Sequence, residues 1–380
     1  MNKTDIPTPY YIVYEEKLRR NLQLIKYVEE KANVKIIMAL KANALWKTFP
    51  IISEYVNSST ASSLNEMRLS LEYLGKDVHT YCPVYTKETF PEFLKGSSHI
   101  TFNSLNQFEA FKEQVEIYNK FNNKVSCGIR INPQCSVIET DIYNPCLPGS
   151  RFGVLSEDLP PKLPQGLEGF HFHALCESTS YDLEKVLEAL IQQFGNWLPK
   201  LKWLNMGGGH LITRKDYNID HLILILNQLH EKYPNLDLIM EPGSAFTWQT
   251  GDLVTKVLDI VENSGVKTAI IDASFACHMP DCLEMPYTPV IEESVNVDGK
   301  FHYRIGGNSC LSGDFVDGWD FKEELKSGDV LTLKDMNHYT TVKTNMFNGI
   351  QHPSIWLKPL KGDAVKLREF TYNDYKSRMD

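Results

Sequence analysis

Apolar positions along the chain fall into two textures that change near residue 250. In the first, residues 8–14 (Thr-Pro-Tyr-Tyr-Ile-Val-Tyr) read as an aromatic, β-branched strand. Residues 17–31 place Leu18, Leu22, Ile25 and Val28 on one face at helical spacing. The apolar run from Ile36 to Leu40 predicts a short buried strand, ending in Lys41, Ala42 and Asn43. Ser63 with Glu66, ahead of Met67, Leu69, Leu71 and Leu74, predicts a capping box and a helix that Gly75 ends. Ser104 with Gln107 repeats the pattern before Phe108, Phe111 and Val115. Strands at 125–131, 170–174, 203–206 and 236–240 then alternate with amphipathic helices at 182–198 and 221–233. Such alternation predicts a parallel sheet, closed as a barrel or open.

Past residue 250 the helical periodicity stops. Short β-branched runs at 253–261, 268–272, 301–305 and 330–333, separated by Gly, Asp and Asn, predict a mostly β second domain. The 8–14 strand is closer in character to these than to the α/β part, so the two chain ends are expected to share a domain. The division is then 17–250 for the α/β domain, and 1–16 with 251–380 for the β domain. No internal repeat, low-complexity tract or linker interrupts either.

Composition narrows the function. A chain of 380 residues with 42% hydrophobic and 23% charged residues is that of a globular protein with room for two cores. Thirty-nine Lys and Arg against 48 Asp and Glu give −9, with no basic run. That balance argues against nucleic acid and anionic membranes, and it is compatible with a cationic small molecule. The first seven residues lack the apolar core of a signal peptide, and no stretch of 18 apolar residues follows. The eight cysteines (82, 127, 135, 146, 176, 277, 282 and 310) contain no Cys-x-x-Cys pair. Neither a disulfide framework nor a zinc site is expected, and a reducing cytoplasm is the default.

Several residues invite chemistry. A lysine at the end of a buried strand either snorkels out or is kept reactive, to form a Schiff base with an aldehyde cofactor; Lys41 stands at that choice. Gly207, Gly208 and Gly209 follow the 203–206 strand as a plain turn or as a backbone cradle for phosphate. Glu241 ends the next strand, either as a surface carboxylate or as the partner of a protonated ring nitrogen. His171 and His173, placed on the 170–174 strand, share one face. With no third metal ligand in evidence, a core histidine or an imidazole packed on a ring is the expectation, and no metal is assigned. A glycine-rich loop, 306–314, carries Cys310 and Asp314; Tyr339 and the Phe347-Asn348-Gly349 turn lie further on.

In order and spacing these pieces resemble the fold-type III pyridoxal-phosphate decarboxylases, the alanine racemase-like group that includes ornithine and diaminopimelate decarboxylases. The resemblance spans nearly the whole chain. Three longer strings bring it closest to the carboxynorspermidine and carboxyspermidine decarboxylase subgroup: His171-Phe172-His173-Ala174-Leu175-Cys176-Glu177, residues 272–281 (Asp-Ala-Ser-Phe-Ala-Cys-His-Met-Pro-Asp), and residues 307–314 (Gly-Asn-Ser-Cys-Leu-Ser-Gly-Asp).

The resemblance implies a (β/α)8 TIM-type barrel plus a C-terminal mostly-β sandwich or barrel domain, with pyridoxal 5'-phosphate as cofactor. It makes Lys41 the cofactor lysine, His173 the residue stacked on the pyridine face and Glu241 the partner of its nitrogen. Gly207, Gly208, Gly209 and Tyr339 would hold the phosphate. Cys310 would be supplied by the partner subunit of a homodimer with shared active sites, to reprotonate the decarboxylated carbon. Glu284, Asp314, Asp281 and Glu177 would receive the amines of a polyamine substrate, carboxynorspermidine or carboxyspermidine. Three departures separate the chain from the commoner relatives: Ser244 where arginine often follows Glu-Pro-Gly, Cys176 where many carry serine, and Leu311 where ornithine decarboxylases have aspartate. They point away from ornithine and diaminopimelate. A diaminopimelate or other basic amino acid decarboxylase is the nearest rival, and a racemase or a non-catalytic cofactor-binding protein is more remote.

Overall fold

Residues 35–39 connect the ends of a ring of strands. In the computed structural model, which describes residues 6–138, 140–295 and 299–380, this segment is two short pieces separated by Ile37. Lys35–Ile36 pairs in parallel with Asp237–Met240, and Met38–Ala39 pairs in parallel with Ser58–Ala61. Between them run Asp77–Tyr81, His99–Phe102, Ser126–Arg130, Leu167–His171 and Trp203–Asn205, each parallel to its neighbours. The ladder thus returns to its starting segment: the α/β part is a barrel of eight strand positions. Residues 1–5, the start of the stretch without a signal-peptide core, lie outside the described residues.

The chain divides into two compact units, Arg20–Phe246 and Met1–Arg19 with Thr247–Asp380. The first is the barrel. Its lumen is filled by Trp203, clustered with Ile37 and Ile239. The indole lies flat against the neighbouring strands, so a Cβ at Gly128 or Gly169 would come within 2.1 or 2.0 Å of it, and glycine is required at both. Outside, Tyr85, Phe90, Phe93, Phe102, Phe108 and Phe111 pack edge-on and tilted between helices and strands. Burying each such ring contributes roughly 2–3 kcal/mol.

Three elements differ from the sequence reading. The 170–174 strand is Leu167–His171: Glu168 and Gly169 break the apolar run, yet Gly169 pairs with Gly128 and Trp203, and Glu168 lies in the strand at a register shift. His171 therefore ends the strand and His173 lies beyond it, although Phe172 N–H still donates to the carbonyl of Asn205 at 2.9 Å. The 182–198 helix is Ser180–Phe194, opened by a full capping box of Thr179 and Asp182, and 198–200 forms a separate 3-10 turn. At Leu64–Tyr73, Ser63 caps the Glu66 amide, but the Glu66 carboxylate reaches the amide of Ser62 instead of completing the box.

The second unit is organised on Gly251–Asn263, a thirteen-residue strand. It pairs antiparallel with Tyr10–Tyr14, with Val266–Ile271 and with Val330–Leu333. Phe301–Gly306 and Phe315–Phe321 extend the sheet on one side, Ser354–Lys358 and Val365–Arg368 on the other. Among the described residues no helix is long and apolar enough to cross a membrane.

Candidate active site

Four neighbouring strands of the barrel, those ending at Ala39, His171, Asn205 and Met240, bring their C-terminal ends together. The chain leaves residues 38–39 in a tight turn, with Ala42 and Asn43 donating back to Ala39 and Leu40 at 3.1 Å each. Lys41 sits at the head of this turn. Burial lowers its ammonium pKa and the Arg130 guanidinium adds to that, while Glu241 and Glu66 act the other way. Among the described residues Lys41 Nζ has no hydrogen bond or ion pair, which leaves the amine available as a nucleophile.

Glu241 follows the Asp237–Met240 strand directly and is 8% exposed. Burial alone would raise its carboxyl pKa. The neighbouring His171, with Nε2 at 3.5 Å, and the Asn205 amide, donating at 2.6 Å, outweigh burial and hold it at about 2. A buried carboxylate that stays ionised is the chemistry that keeps a pyridine nitrogen protonated. Asn205 serves the site twice, because its Oδ1 also accepts from the Gly207 amide at 2.9 Å.

The glycine triplet bends through positive φ at Gly207 (67°) and Gly209 (88°). Between them the Gly208 amide donates to His173 Nδ1 at 2.7 Å. That bond fixes the tautomer, leaving the proton on Nε2. Burial, with the charges of Lys41 and Arg130, holds His173 well below the usual imidazole range, so the ring is neutral. A Cβ at Gly208 would fall 2.6 Å from the Glu241 carbonyl and 3.1 Å from His173 Cε1. The cradle is therefore closed to any larger residue.

Three participants were not evident from the sequence: Arg130, Tyr81 and Asn205. Arg130, 5% exposed at the end of Ser126–Arg130, donates to Tyr81 Oη at 2.8 Å and to the His173 carbonyl at 3.2 Å. Its guanidinium packs over the rings of Tyr81 and Phe152. The available signal was a charged or amide side chain at the end of an otherwise apolar strand.

Of the remaining expected residues in this unit, Cys176 is half-buried. Glu177 is exposed at φ 47°, its carbonyl accepting from Arg214 at 2.9 Å. Ser244, half-buried, opens the one-turn helix Ser244–Thr247.

In the β unit, Asp314 is 4% exposed and fully engaged. It accepts from Ser274 Oγ at 2.8 Å, the Ala276 amide at 2.9 Å, and both the hydroxyl (2.6 Å) and amide (3.2 Å) of Ser309. Its carboxylate thus builds the 306–314 loop. On that loop Cys310 is the exposed one of eight cysteines, none of them in a disulfide. Its amide donates to Asn348 Oδ1 at 2.8 Å, and Asn348 adopts φ 57°. Tyr339 is half-buried in the turn Tyr339–Thr341. Asp281 and Glu284 meet on the ammonium of Lys343, which bonds to both.

These features fit pyridoxal phosphate: a half-buried amine without a partner, an ionised buried carboxylate, a neutral flat imidazole and a glycine cradle at adjoining strand ends. Known proteins agree. Residues 12–337 match the family described as pyridoxal-dependent decarboxylase, C-terminal sheet domain. A carboxyaminopropylagmatine decarboxylase from Synechocystis is 43% identical over 99% of this chain and 96% of its own length. A carboxynorspermidine/carboxyspermidine decarboxylase from Campylobacter jejuni is 39% identical over 98% of each. The crystal structure of a Campylobacter jejuni carboxynorspermidine decarboxylase complexed with norspermidine superposes with a TM-score of 0.89, at 38% identity, over 98% of this chain and 100% of that one. Family match, full-length relatives and barrel geometry agree, and the chain belongs to the pyridoxal-dependent decarboxylases.

Proposed function

We propose that the protein decarboxylates carboxynorspermidine or carboxyspermidine, releasing norspermidine or spermidine, with pyridoxal 5'-phosphate as cofactor. The observation that carries this reading is the full-length likeness to the decarboxylase crystallised with norspermidine. When bound, the cofactor withdraws the electron pair that the departing carboxylate leaves behind.

The chain's own residues divide the remaining work. Lys41, its pKa lowered by burial, would carry the cofactor and release the product amine. Glu241 would keep the ring nitrogen charged, and His173, locked by the Gly208 amide, would pack on the ring face. Gly207, Gly208, Gly209 and Tyr339 would take the phosphate. We assign return of the proton to the α-carbon to Cys310 of the partner subunit in a homodimer, since its thiol is exposed on a loop that Asp314 holds in shape. We assign the substrate's cationic end to Asp281 and Glu284, which already share a cation, the Lys343 ammonium, and we assign Asp314 a part through the loop. Eight cysteines without a disulfide fit a reducing cytoplasm.

The Synechocystis relative favours a second reading, carboxyaminopropylagmatine. It shares the amino acid end, but its far end is a guanidinium. Carbon dioxide release from the purified protein, loaded with cofactor, separates the readings. Carboxynorspermidine, carboxyspermidine, carboxyaminopropylagmatine and diaminopimelate would each be supplied alone. Turnover of the carboxylated triamines above the other two is expected. Preference for carboxyaminopropylagmatine would install the second reading, and turnover of diaminopimelate alone would overturn both.

A further inference from the structure

Cys310 is anchored from outside its own loop as well as from within it. Its backbone amide donates to Asn348 Oδ1 at 2.8 Å, a bond between residues 38 positions apart. Asn348 and Gly349 both lie at positive φ, 57° and 72°. Left-handed backbone is strained for a residue with a Cβ, and it persists where the surroundings hold it. On one side the hold comes from Asn345. Its Oδ1 accepts from the Phe347 amide at 2.9 Å, and its Nδ2 donates to the Ala276 carbonyl at 2.8 Å. Its own amide donates to the Cys277 carbonyl at 2.9 Å. The Ala276 amide in turn donates to Asp314, so the 345–349 turn and the Cys310 loop share one frame.

The other side of the turn is closed by the C-terminal segment. A Cβ on Gly349 would stand 3.4 to 3.7 Å from three atoms of the Tyr375 ring, so the phenol covers the turn where a side chain would otherwise project. Tyr375 belongs to Tyr372–Lys376, a helix of five residues, far too short to hold itself together. Side chains around it do so instead. The Asp374 carboxylate accepts from the Thr371 amide at 2.7 Å and its hydroxyl at 3.0 Å, and it pairs with Arg368. Phe370 fastens the segment to the exit of the turn. Its carbonyl accepts from Gln351 Nε2 at 2.8 Å, and its ring lies 4.1 Å from the buried His352 imidazole. The Arg368 guanidinium sits over the same ring.

We propose that residues 368–376 position the Cys310 thiol, with Tyr375 and Asn348 as the positioning residues. The inference rests on the reading that Cys310 returns the proton to the α-carbon. A proton donor must stand within hydrogen-bond reach of its target, and a displacement of about 1 Å costs roughly a hundredfold in rate. The Cys310 side chain leaves the backbone one bond from the nitrogen that Asn348 holds, so the place of Asn348 sets the place of the thiol. Tyr375 acts through the turn: its ring keeps Gly349, and with it Asn348, in the left-handed region. Every contact in this chain of supports lies within the β unit, so one subunit both carries the thiol and aims it.

The test uses full-length, cofactor-loaded protein, read by hydrogen exchange at the Cys310 amide and by steady-state kinetics on the carboxylated amine it turns over best. In Tyr375→Ala the Cys310 amide should lose protection, and kcat should fall about tenfold with KM unchanged, part of the loss that a misplaced group brings. Asn348→Ala should do the same, whereas Tyr375→Phe keeps the ring and should match the parent in both readouts. In a Cys310→Ala background Tyr375→Ala should lower kcat no further, because no thiol is left to misplace. Unchanged exchange at Cys310 in Tyr375→Ala, or an equal kcat loss with and without the thiol, overturns the proposal. Should Tyr375→Ala fail to fold, Asp374→Ala, which unties the segment from Thr371 and Arg368, is read in its place, and unchanged exchange there overturns the proposal as well. If Cys310→Ala alone keeps the parent's kcat, the assignment of the proton fails, and exchange at Cys310 still decides whether the segment positions the loop.

Discussion

The backbone amide of Gly208 donates to Nδ1 of His173 at 2.7 Å, so the glycine cradle and the imidazole move as one piece. One residue away the same cradle is tied to Glu241 through Asn205, whose amide group holds the Glu241 carboxylate and whose oxygen holds the Gly207 amide. The residues proposed for the phosphate, the ring face and the ring nitrogen therefore share one hydrogen-bonded scaffold across adjoining strand ends.

Breaking that scaffold at Asn205 should be visible in the pH profile. Glu241 stays ionised although buried, because Asn205 and His171 outweigh desolvation. In Asn205→Leu the Glu241 carboxyl rises, so as pH falls the carboxylate is lost earlier than in the parent. The parent should show no Glu241 limb above about pH 3, one unit beyond its value of about 2. The variant should show an acid limb in kcat within the measurable range and a loss of roughly a hundredfold at its optimum, comparable to removing one preorganised donor. An unshifted profile would show that Asn205 does not set Glu241.

Lys41→Ala removes an amine that, among the described residues, has no hydrogen bond or ion pair. Turnover and the visible absorbance of bound cofactor are both expected to disappear, while the far-ultraviolet circular dichroism spectrum stays that of the parent. A variant that still turned over substrate would shift the nucleophile elsewhere.

Asp314 gives a different signature. Its carboxylate accepts from two serine hydroxyls and two amides, and Asp314→Ala leaves these donors unsatisfied. About 3 kcal/mol of stability should be lost, the scale of breaking a buried charged hydrogen-bond cluster. Because the loop carries Cys310, kcat should fall while cofactor affinity, read from absorbance during dialysis, is unchanged. Loss of both together would place Asp314 in the cofactor site instead.

Acid should unfold the protein earlier than a carboxylate count suggests. Burial lowers His210 to about 4, and His99 and His278 to about 3. Below pH 6.5 the unfolded chain protonates each of them and the folded chain does not, so unfolding takes up protons. Stability therefore falls as pH drops from about 6.5 towards 4, by about 3 kcal/mol at pH 4 for His210 alone. Urea unfolding at several pH values should show this slope, reduced by up to one proton in His210→Gln.

How much of this was legible in the chain depends on whether the signal was local. Lys41, Glu241 and the glycine triplet each stand at the end of an apolar run, so the sequence marked their positions. The strands Ser58–Ala61, Asp77–Tyr81 and His99–Phe102 leave no strand signal in the sequence. With Ser58, Ser59, Thr60, Asp77, His79 and His99 among their residues, they carry no apolar run to recognise. Arg130 and Asn205 act through partners on other strands, His173 and Glu241, and only the order of strands in the ring brings those together. Asp314 was visible as an acidic residue near Cys310, but its four donors come from residues 274, 276 and 309, and their convergence is a property of the folded loop.

Lys343 holds the key to the remaining carboxylates. Asp281 and Glu284, three residues apart on a one-turn helix, both bond to its ammonium, and burial fails to offset them, so its pKa is raised. A substrate that places a cation on these carboxylates must compete with Lys343. Glu284→Gln should then raise KM about tenfold with kcat unchanged, the mark of lost uniform binding. Lys343→Met should lower KM instead, most for the most highly charged substrate, and the difference should shrink as salt rises. Opposite signs in the two variants would assign the pair to the substrate's far end. If KM is unmoved in both, the three residues form an ion-pair clasp of the β unit alone, and the far end is recognised elsewhere.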